Sequence, residues 1–117
     1  MRFLLLLAIL SSKFQKASVN DENFQKFVMG HECKIVVKTR DGNKGKRFIF
    51  QNGKFSSDKN LDQFDAAMVW NDAATAFAAM KKGEPAVTEA IQTHKVAIEG
   101  KLHAFTWFGA AINFVMQ

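Results

Sequence analysis

The first residues of the chain carry apolar side chains at the spacing of an amphipathic helix. They share one face of a helix over about residues 2–17 and are Phe3, Leu6, Leu7, Leu10, Phe14 and Ala17. The unbroken apolar run 3–10 has the length of a signal-peptide core, but Ala17 and Ser18 are not preceded by the small residues that a cleavage site requires. We therefore favour an amphipathic helix over a signal peptide.

A second, shorter helix is expected over residues 20–29. Either Asn20 or Asp21 can cap its first turn, because a short polar side chain there accepts hydrogen bonds from free backbone N–H groups. Phe24, Phe27 and Val28 lie on its buried side at helical spacing.

The apolar period changes to two after this helix, which indicates β-strands. The first strand covers residues 31–40, and its two faces carry Cys33, Ile35 and Val37, and Lys34, Val36 and Lys38. A turn at Asp41-Gly42-Asn43 leads into a second strand over residues 46–51, in which Phe48 and Phe50 face together.

Two further strands are expected before residue 71. Asn52-Gly53 predicts a tight hairpin turn into a third strand around Phe55, because both central residues of such a turn need positive φ. A fourth strand covers residues 64–70, with Phe64, Ala66, Met68 and Trp70 alternating against Asp65, Ala67 and Val69. The succession of strands suggests an antiparallel meander.

Two helices follow the fourth strand, over residues 73–82 and 84–93. Either Asn71 or Asp72 caps the first of them, and Gly83 ends it. Pro85 stands at the first helical position of the second, where its missing N–H and fixed φ cost nothing.

The last helix, over residues 101–116, follows a short fifth strand over 95–99 that presents Val96 and Ile98. This helix is apolar nearly all round, with one stripe of Leu102, Phe105, Phe108, Ile112 and Val115 that is widened by Trp107, Ala111 and Phe114. Such a helix is buried on most sides or faces a cavity, a partner or a membrane. Three interpretations stay open: a lid over an apolar cavity, an oligomer contact, and ordinary core.

The order of elements predicts an α+β fold, in which helices cover one face of a five-stranded, mainly antiparallel sheet. A chain of 117 residues fits one domain. We expect this domain to span residues 1–117, with residues 1–19 as a helical extension and residues 20–117 as the core.

Charge and cysteine content narrow the possible partners. The net charge of +5 suits an anionic membrane surface, nucleic acid or plain solubility. The basic residues are scattered, no nucleic-acid-binding motif is present, and the densest group, between Lys34 and Arg47, is interpreted as a solvated sheet face, so we expect no nucleic-acid partner. Cys33 is the only cysteine, which excludes an intrachain disulfide and favours a reducing, cytoplasmic location.

Few residues point to catalysis or metal binding. His31 and Cys33 project from one face of a strand, but no third ligand or orienting acid has a recognisable spacing. Asp58, Asp62 and Asp65 lack the pattern of a calcium loop and are expected on a solvated edge. We therefore expect no enzymatic activity, no metal site and no cofactor.

Several short motifs occur in an order that resembles sterol-carrier-protein-2-like domains. The loop 41–46 resembles the D-G-x-x-G-K turn of that family, and Asn52-Gly53-Lys54 resembles its next tight turn. The passage 66–83 resembles its fourth strand, capping aspartate and helix with an M-x-x-G end, and residues 95–100 resemble its K-[LV]-x-[IV]-x-G strand. The resemblance covers about residues 20–117 and is strongest to small single-domain bacterial members with an extra leading helix.

This resemblance implies an apolar tunnel between the sheet and the helices. Members of the family bind sterols, fatty acids, acyl-CoA esters or phospholipids without a strict ligand signature, and a quinone-biosynthesis accessory factor has a similar domain. The chain departs from the peroxisomal members, because it ends at Gln117 without the S-K-L address. That departure argues against peroxisomal residence and against sterol as the native ligand.

The inward faces supply the candidate lipid-binding residues, because an apolar ligand needs walls without polar demands. They are Met68, Trp70, Phe77, Met80, Val96, Ile98, Phe105, Phe108 and Ile112. The same residues would equally fill an ordinary core.

The functional expectation is binding or carriage of a fatty acyl, sterol or isoprenoid molecule without covalent chemistry. The alternative is an accessory protein that presents such an intermediate to partner enzymes. We also expect transient contact with a membrane surface, and a homodimer through the C-terminal or the N-terminal helix is considered.

Overall fold

The structure is a computed structural model that describes residues 2–116. Within that range the elements are, in order, α1 (Arg2–Asn20), α2 (Glu22–Val28), β1 (Cys33–Thr39), β2 (Gly45–Gln51), β3 (Lys54–Asp58), β4 (Ala66–Trp70), α3 (Ala73–Lys82), α4 (Glu84–Gln92), β5 (Val96–Gly100) and α5 (Leu102–Met116). Each element lies where the hydrophobic pattern predicts it, with only small differences at its ends. The predicted α+β class is confirmed.

The strands form one mixed sheet in the order β3-β2-β1-β4-β5. Three of the neighbouring pairs are antiparallel, whereas β1 and β4 run parallel. The predicted meander is therefore wrong at β4, which crosses to the free edge of β1 instead of pairing with β3. Tight turns dictate the pairing of β1, β2 and β3, but the longer segment 59–65 before β4 leaves the partner of that strand open.

The segment 59–65 lies on the outer face of the sheet, the face turned away from the helices. Leu61 and Phe64 pack there on a small cluster formed by Val36, Ala67 and Val69. The alternation pattern places Phe64 on the opposite, inner face, and this prediction is wrong. The strand begins only at Ala66, so Phe64 precedes the region in which side chains must alternate.

Two basic side chains hold this segment against the sheet. Lys38 Nζ donates a hydrogen bond of 3.1 Å to the carbonyl of Leu61 and lies 5.3 Å from the centre of the Phe64 ring. Arg47 donates to the carbonyl of Gln63 over 3.1 Å. The outer face is thus partly covered by a loop, whereas the helices occupy the inner face alone.

Arg47 departs from the expected solvated face. Its residue is only 8% exposed, and its guanidinium forms an ion pair with Asp58, with Nε to Oδ1 at 2.8 Å. The hydrogen bond from Arg47 holds the pKa of Asp58 below its usual value. Burial of an arginine requires such a partner, because an unpaired charge there would be costly.

The hydrophobic core lies between the inner face of the sheet and the helices, and Phe14 of α1 lies at its centre. The Phe14 ring is fully buried. Rings with centroids 5.0–6.0 Å from it are Phe24, Phe48, Phe50, Phe55 and Phe108. Because these rings come from α2, β2, β3 and α5, a single side chain of α1 ties most of the fold together.

The structure decides between the alternative helix caps. Asp21 caps α2 and accepts hydrogen bonds from two backbone N–H groups of its first turn. Asp72 caps α3 and accepts from the N–H of Thr75 at 2.7 Å. Asn71 instead donates to the carbonyl of His94 and accepts from Arg40, so it connects the end of β4 to the loop before β5.

The chain passes very close to itself where β4 begins and β5 ends. Gly100 has φ +87°, and a β-carbon there would overlap the backbone of Asp65, so only glycine fits. The Asp65 carboxylate accepts from the N–H of Lys34 at 2.8 Å, and its carbonyl accepts from the N–H of Lys101 at 2.8 Å. The sequence predicts Asp65 on a solvated edge, but this residue joins β1, β4 and the start of α5.

Replacing Phe14 by alanine should lower the free energy of unfolding by about 3–5 kcal/mol, because a large cavity would open at the centre of the core. Phe14→Leu keeps part of the volume and should cost less, about 1–2 kcal/mol. Urea unfolding followed by circular dichroism measures both. A loss below about 1 kcal/mol for the alanine variant would contradict the central position of α1.

Candidate functional site: a cavity between the helices

Helix α5 touches the sheet along one flank only. Ala104, Phe108 and Ala111 are its fully buried residues, and Phe108 lies 5.4 Å from Phe48, ring centre to ring centre. The predicted stripe begins at Leu102, but this side chain is 68% exposed. The two alanines let the helix approach the sheet closely, and of these Ala104 is the one that the predicted apolar stripe lacks.

A cavity of about 610 Å³ lies beside the flank of α5 that carries Phe105, Gly109 and Ile112, and Phe108 also borders it. Its walls are α1, the end of α3, α4 and α5, and Met68 of β4 lies at its base. The volume falls in the range of about 300–1,000 Å³ that small-molecule sites occupy. The open space is thus bounded mainly by helices, with a single strand contributing.

Five of the nine predicted lipid-binding residues line this cavity: Met68, Met80, Phe105, Phe108 and Ile112. Met68 and Phe108 lie deep and are buried, whereas Met80, Phe105 and Ile112 are half-buried. The cavity therefore brings together residues from β4, α3 and α5 that are far apart in the sequence.

The other four predicted residues do not line it. Trp70 and Val96 face each other across β4 and β5 and are buried in the core. Ile98 is half-buried on β5. The ring of Phe77 is half-buried on α3 and lies 5.9 Å from the Arg2 guanidinium and 5.6 Å from Lys81 Nζ.

Two walls of the cavity were missed by sequence reasoning. Leu6, Ile9 and Leu10 come from α1, which the sequence places outside the domain core. Val87 and Ile91 come from α4, where their spacing of four residues puts them on one face. That spacing was available in the sequence, but α4 could be placed against α5 only once the topology of the sheet was known.

Gly109 is a further signal that the sequence contains. It lies in the middle of α5 and lines the cavity, and a β-carbon there would meet no atom within 4 Å. Glycine inside a helix costs about 1 kcal/mol relative to alanine. Glycine at this place therefore lowers helix stability, and a large side chain here would enter the cavity.

Polar groups of the cavity lie at its rim. Asn113 Nδ2 of α5 donates a hydrogen bond of 3.0 Å to Glu84 Oε2 of α4, and both residues are exposed. Lys81, Thr88 and Thr106 also belong to the lining and are exposed. The cavity is thus apolar at its base and polar at its mouth, an arrangement that suits an amphipathic guest.

The sequence matches no protein-family model and no curated protein, but solved structures are similar to it. One is described as the ubiquinone synthesis protein UbiJ-SCP2, with 10% identity and a TM-score of 0.64 over 92% of this chain and 90% of that one. Another is the conserved hypothetical protein TT1886 of Thermus thermophilus, described as possibly a sterol carrier protein, with 16% identity and a TM-score of 0.58 over 92% and 81%. A third is sterol carrier protein domain 2 of Helicoverpa armigera, with 14% identity and a TM-score of 0.53 over 90% and 84%. The chain has the sterol-carrier-protein-2-like fold.

A second, smaller cavity of about 220 Å³ is also present. It lies at the end of the sheet where β1 and α5 begin, and its lining includes His31, Cys33, Asp65, His103 and Trp107. The His31 ring stacks on the Trp107 ring with centroids 5.2 Å apart. Among residues 2–116 no three histidine, cysteine or acidic side chains are grouped so that they could hold a metal ion.

Cys33 is half-buried, and burial is the main cause that raises the pKa of its thiol from 9.0 to about 12. Asp65 nearby raises this pKa further, because a second negative charge is disfavoured there. The thiolate is the nucleophilic form of cysteine, so this thiol is poorly suited to covalent catalysis.

Cys33 should therefore react slowly with iodoacetamide in the native protein. At pH 8, a pKa of about 12 leaves about a thousandfold less thiolate than a pKa of 9.0. Mass spectrometry of the alkylated protein over time measures the rate, and the urea-unfolded protein is the control. Equal rates in the two states would contradict the buried thiol.

Proposed function

We propose that the helix-bounded cavity binds a lipid-like apolar molecule, which the protein carries or presents without changing it chemically. The observation that carries this proposal is an open space of about 610 Å³ with apolar side chains at its base and polar ones at its mouth. The similarity to structures described as sterol carrier proteins supports it. In this proposal residues 1–117 act as one domain, because α1 supplies a wall of the site.

The energetics of such a complex are adequate. Burying about 12 methylene groups at about 0.8 kcal/mol each gives roughly 10 kcal/mol before costs. Lost freedom of the ligand and of the cavity side chains offsets a large part, which leaves about micromolar binding. Because one methylene more or less changes the affinity little, we expect several acyl, sterol or isoprenoid molecules to bind.

A second candidate function is presentation of an isoprenoid intermediate to partner enzymes. It is supported by the similarity to the structure described as a ubiquinone synthesis protein, over nearly the whole of both chains. Affinity purification of the tagged full chain should then recover a stable complex with enzymes that act on isoprenoids. Recovery of the chain alone, with lipid bound, would favour the carrier.

We further propose that the cavity exchanges its ligand at an anionic membrane surface. Leu5 and Ile9 are 61% and 45% exposed on α1, and Ile9 also belongs to the cavity lining. Arg2 and Lys81 lie close to the same Phe77 ring, and Lys81 shares the cavity lining with Ile9. Apolar side chains flanked by cations suit the interface of anionic phospholipids. Within residues 2–116 no helix has the length and hydropathy needed to cross a bilayer.

Filling the cavity from Gly109 tests the binding site. Gly109→Trp should weaken binding of the fluorescent fatty acid cis-parinaric acid by at least about tenfold, because the indole would occupy space that the acyl chain needs. Gly109→Ala is the matched control, which should stabilise α5 by up to about 1 kcal/mol and leave the affinity within about threefold. Fluorescence titration measures both affinities. Equal binding by the two variants would place the ligand outside this cavity.

Exchanging Leu5 and Ile9 for glutamine tests the membrane surface. The double variant should bind vesicles that contain phosphatidylglycerol about tenfold more weakly than the parent, since two apolar side chains no longer enter the lipid. Val19→Gln is the control, because Val19 is 63% exposed on α1 outside the cavity lining. Co-sedimentation measures binding, and equal binding to pure phosphatidylcholine vesicles would contradict the role of charge.

The same variants address the homodimer. If α1 pairs with a second copy through Leu5 and Ile9, sedimentation equilibrium should give a dimer for the parent protein and a monomer for the double variant. A monomer in both cases would indicate that Leu5 and Ile9 do not form a dimer contact and are available to a membrane surface.

A further inference from the structure

We propose that α4 is a lid of this cavity and that the hydrogen bond between Glu84 and Asn113 is its latch. This inference rests on the proposed function, since a lid matters only where a ligand enters and leaves. It follows from how weakly α4 is packed, from the backbone at its two ends, and from the single link that joins it to α5.

Helix α4 is the least buried helix that contributes to the cavity. Ala90 is its only fully buried residue. Val87 and Ile91 are half-buried and line the cavity, so the apolar face of α4 meets open space where a neighbouring helix would otherwise pack. Elements with few buried apolar contacts open at low free energy. Displacement of α4 therefore removes fewer buried contacts than displacement of the other helices around the cavity.

Both ends of α4 have a backbone conformation that permits a change of direction. Gly83 separates α3 from α4 with φ +104°, and no atom within 4 Å surrounds the position of a β-carbon there. His94 follows the other end with φ +61°. Hinges are a few residues at the ends of elements that absorb such changes, and a glycine such as Gly83 can adopt the backbone angles that they require.

The C-terminal end of α4 is tied to the sheet, whereas its N-terminal end is joined to helix α3, through a hydrogen bond of 3.1 Å from the N–H of Gly83 to the carbonyl of Ala79. The carbonyl of Ala90 accepts a hydrogen bond of 2.8 Å from the N–H of Lys95, and the N–H of Asn71 donates to the carbonyl of Lys95 over 3.0 Å. These bonds tie the end of α4 to β4 and β5. The N-terminal end, with Glu84, is therefore the part that moves. Helix α4 turns about its fixed C-terminal end, and Gly83 absorbs the change of direction between α3 and α4.

The Glu84–Asn113 hydrogen bond is the single hydrogen bond between α4 and α5 among residues 2–116. It is 3.0 Å long and spans the mouth of the cavity. Asn113 belongs to an element that does not move easily, because Phe114 packs on Phe24 and Phe27 with centroids 5.4 and 5.5 Å apart. Breaking this bond frees the moving end of α4 from the fixed wall.

Exchange rates of a bound probe test the latch. Glu84→Ala and Asn113→Ala should each raise the dissociation rate of cis-parinaric acid about threefold to tenfold, as expected for the loss of one exposed hydrogen bond to a charged group. Glu84→Gln keeps an acceptor oxygen and is the matched control, with a rate within about twofold of the parent. Stopped-flow displacement by unlabelled oleate measures the rates.

Locking the lid gives the opposite result. In a Cys33→Ser background, Glu84→Cys with Asn113→Cys joined by dibromobimane should release the probe at least about tenfold more slowly than the same protein without the cross-link. Unchanged release after cross-linking, or parental rates in both alanine variants, would overturn the lid.

Hydrogen exchange of the unliganded full chain tests the lid without any ligand. The amides of α4 should exchange at least about tenfold faster than those of α3 and α5. Equal protection of α4 and α5 would overturn the proposal. If the parent protein takes up no probe while the amides of α4 exchange fast, the proposed lipid binding is wrong, but the proposed mobility of α4 is supported.

Discussion

The packing of Phe108 and two alanines of α5 against the sheet determines where the molecule is solid and where it is open. On that flank Phe108 meets Phe48 and Phe14, and the aromatic core is closed. Helices are stiff cylinders about 10 Å across, so a helix that leans on the sheet along one flank cannot also fill the space along the other. The cavity is the consequence of this one-sided contact, and α1 and α4 become walls because they stand beside it.

Much of the fold could be predicted from the sequence, because the signals are local. Period-two alternation, the Asn52-Gly53 turn and the caps Asp21 and Asp72 act over a few residues, and the elements they indicate are the ones that form. The partner of β4 could not be predicted in this way. It depends on the path of the segment between β3 and β4, which Lys38 and Arg47 hold by bonds to carbonyl groups distant in the sequence.

The candidate site was harder to predict than the fold, for a physical reason. A wall of a cavity and a wall of a core use the same apolar residues, so Trp70 and Val96 are indistinguishable from Met68 and Ile112 until the space itself is known. What distinguishes a cavity is unfilled space, and Gly109 is a position of α5 from which a large side chain would enter that space. The walls that α1 and α4 contribute to the cavity could not be predicted, because they depend on contacts between segments that are distant in the sequence.

The parallel pairing of β1 with β4 bears on how the chain reaches this structure. The hairpins of β1, β2 and β3 close over a few residues, whereas β4 must return across a long loop before it finds β1. Pairings between distant segments carry a loop-closure cost and form slowly. We therefore expect a fast phase that builds the three-stranded hairpin unit and a slower one that docks β4, β5 and the last helices. The cavity would then be completed last, because α3, α4 and α5, which form most of its walls, follow β4 in the chain.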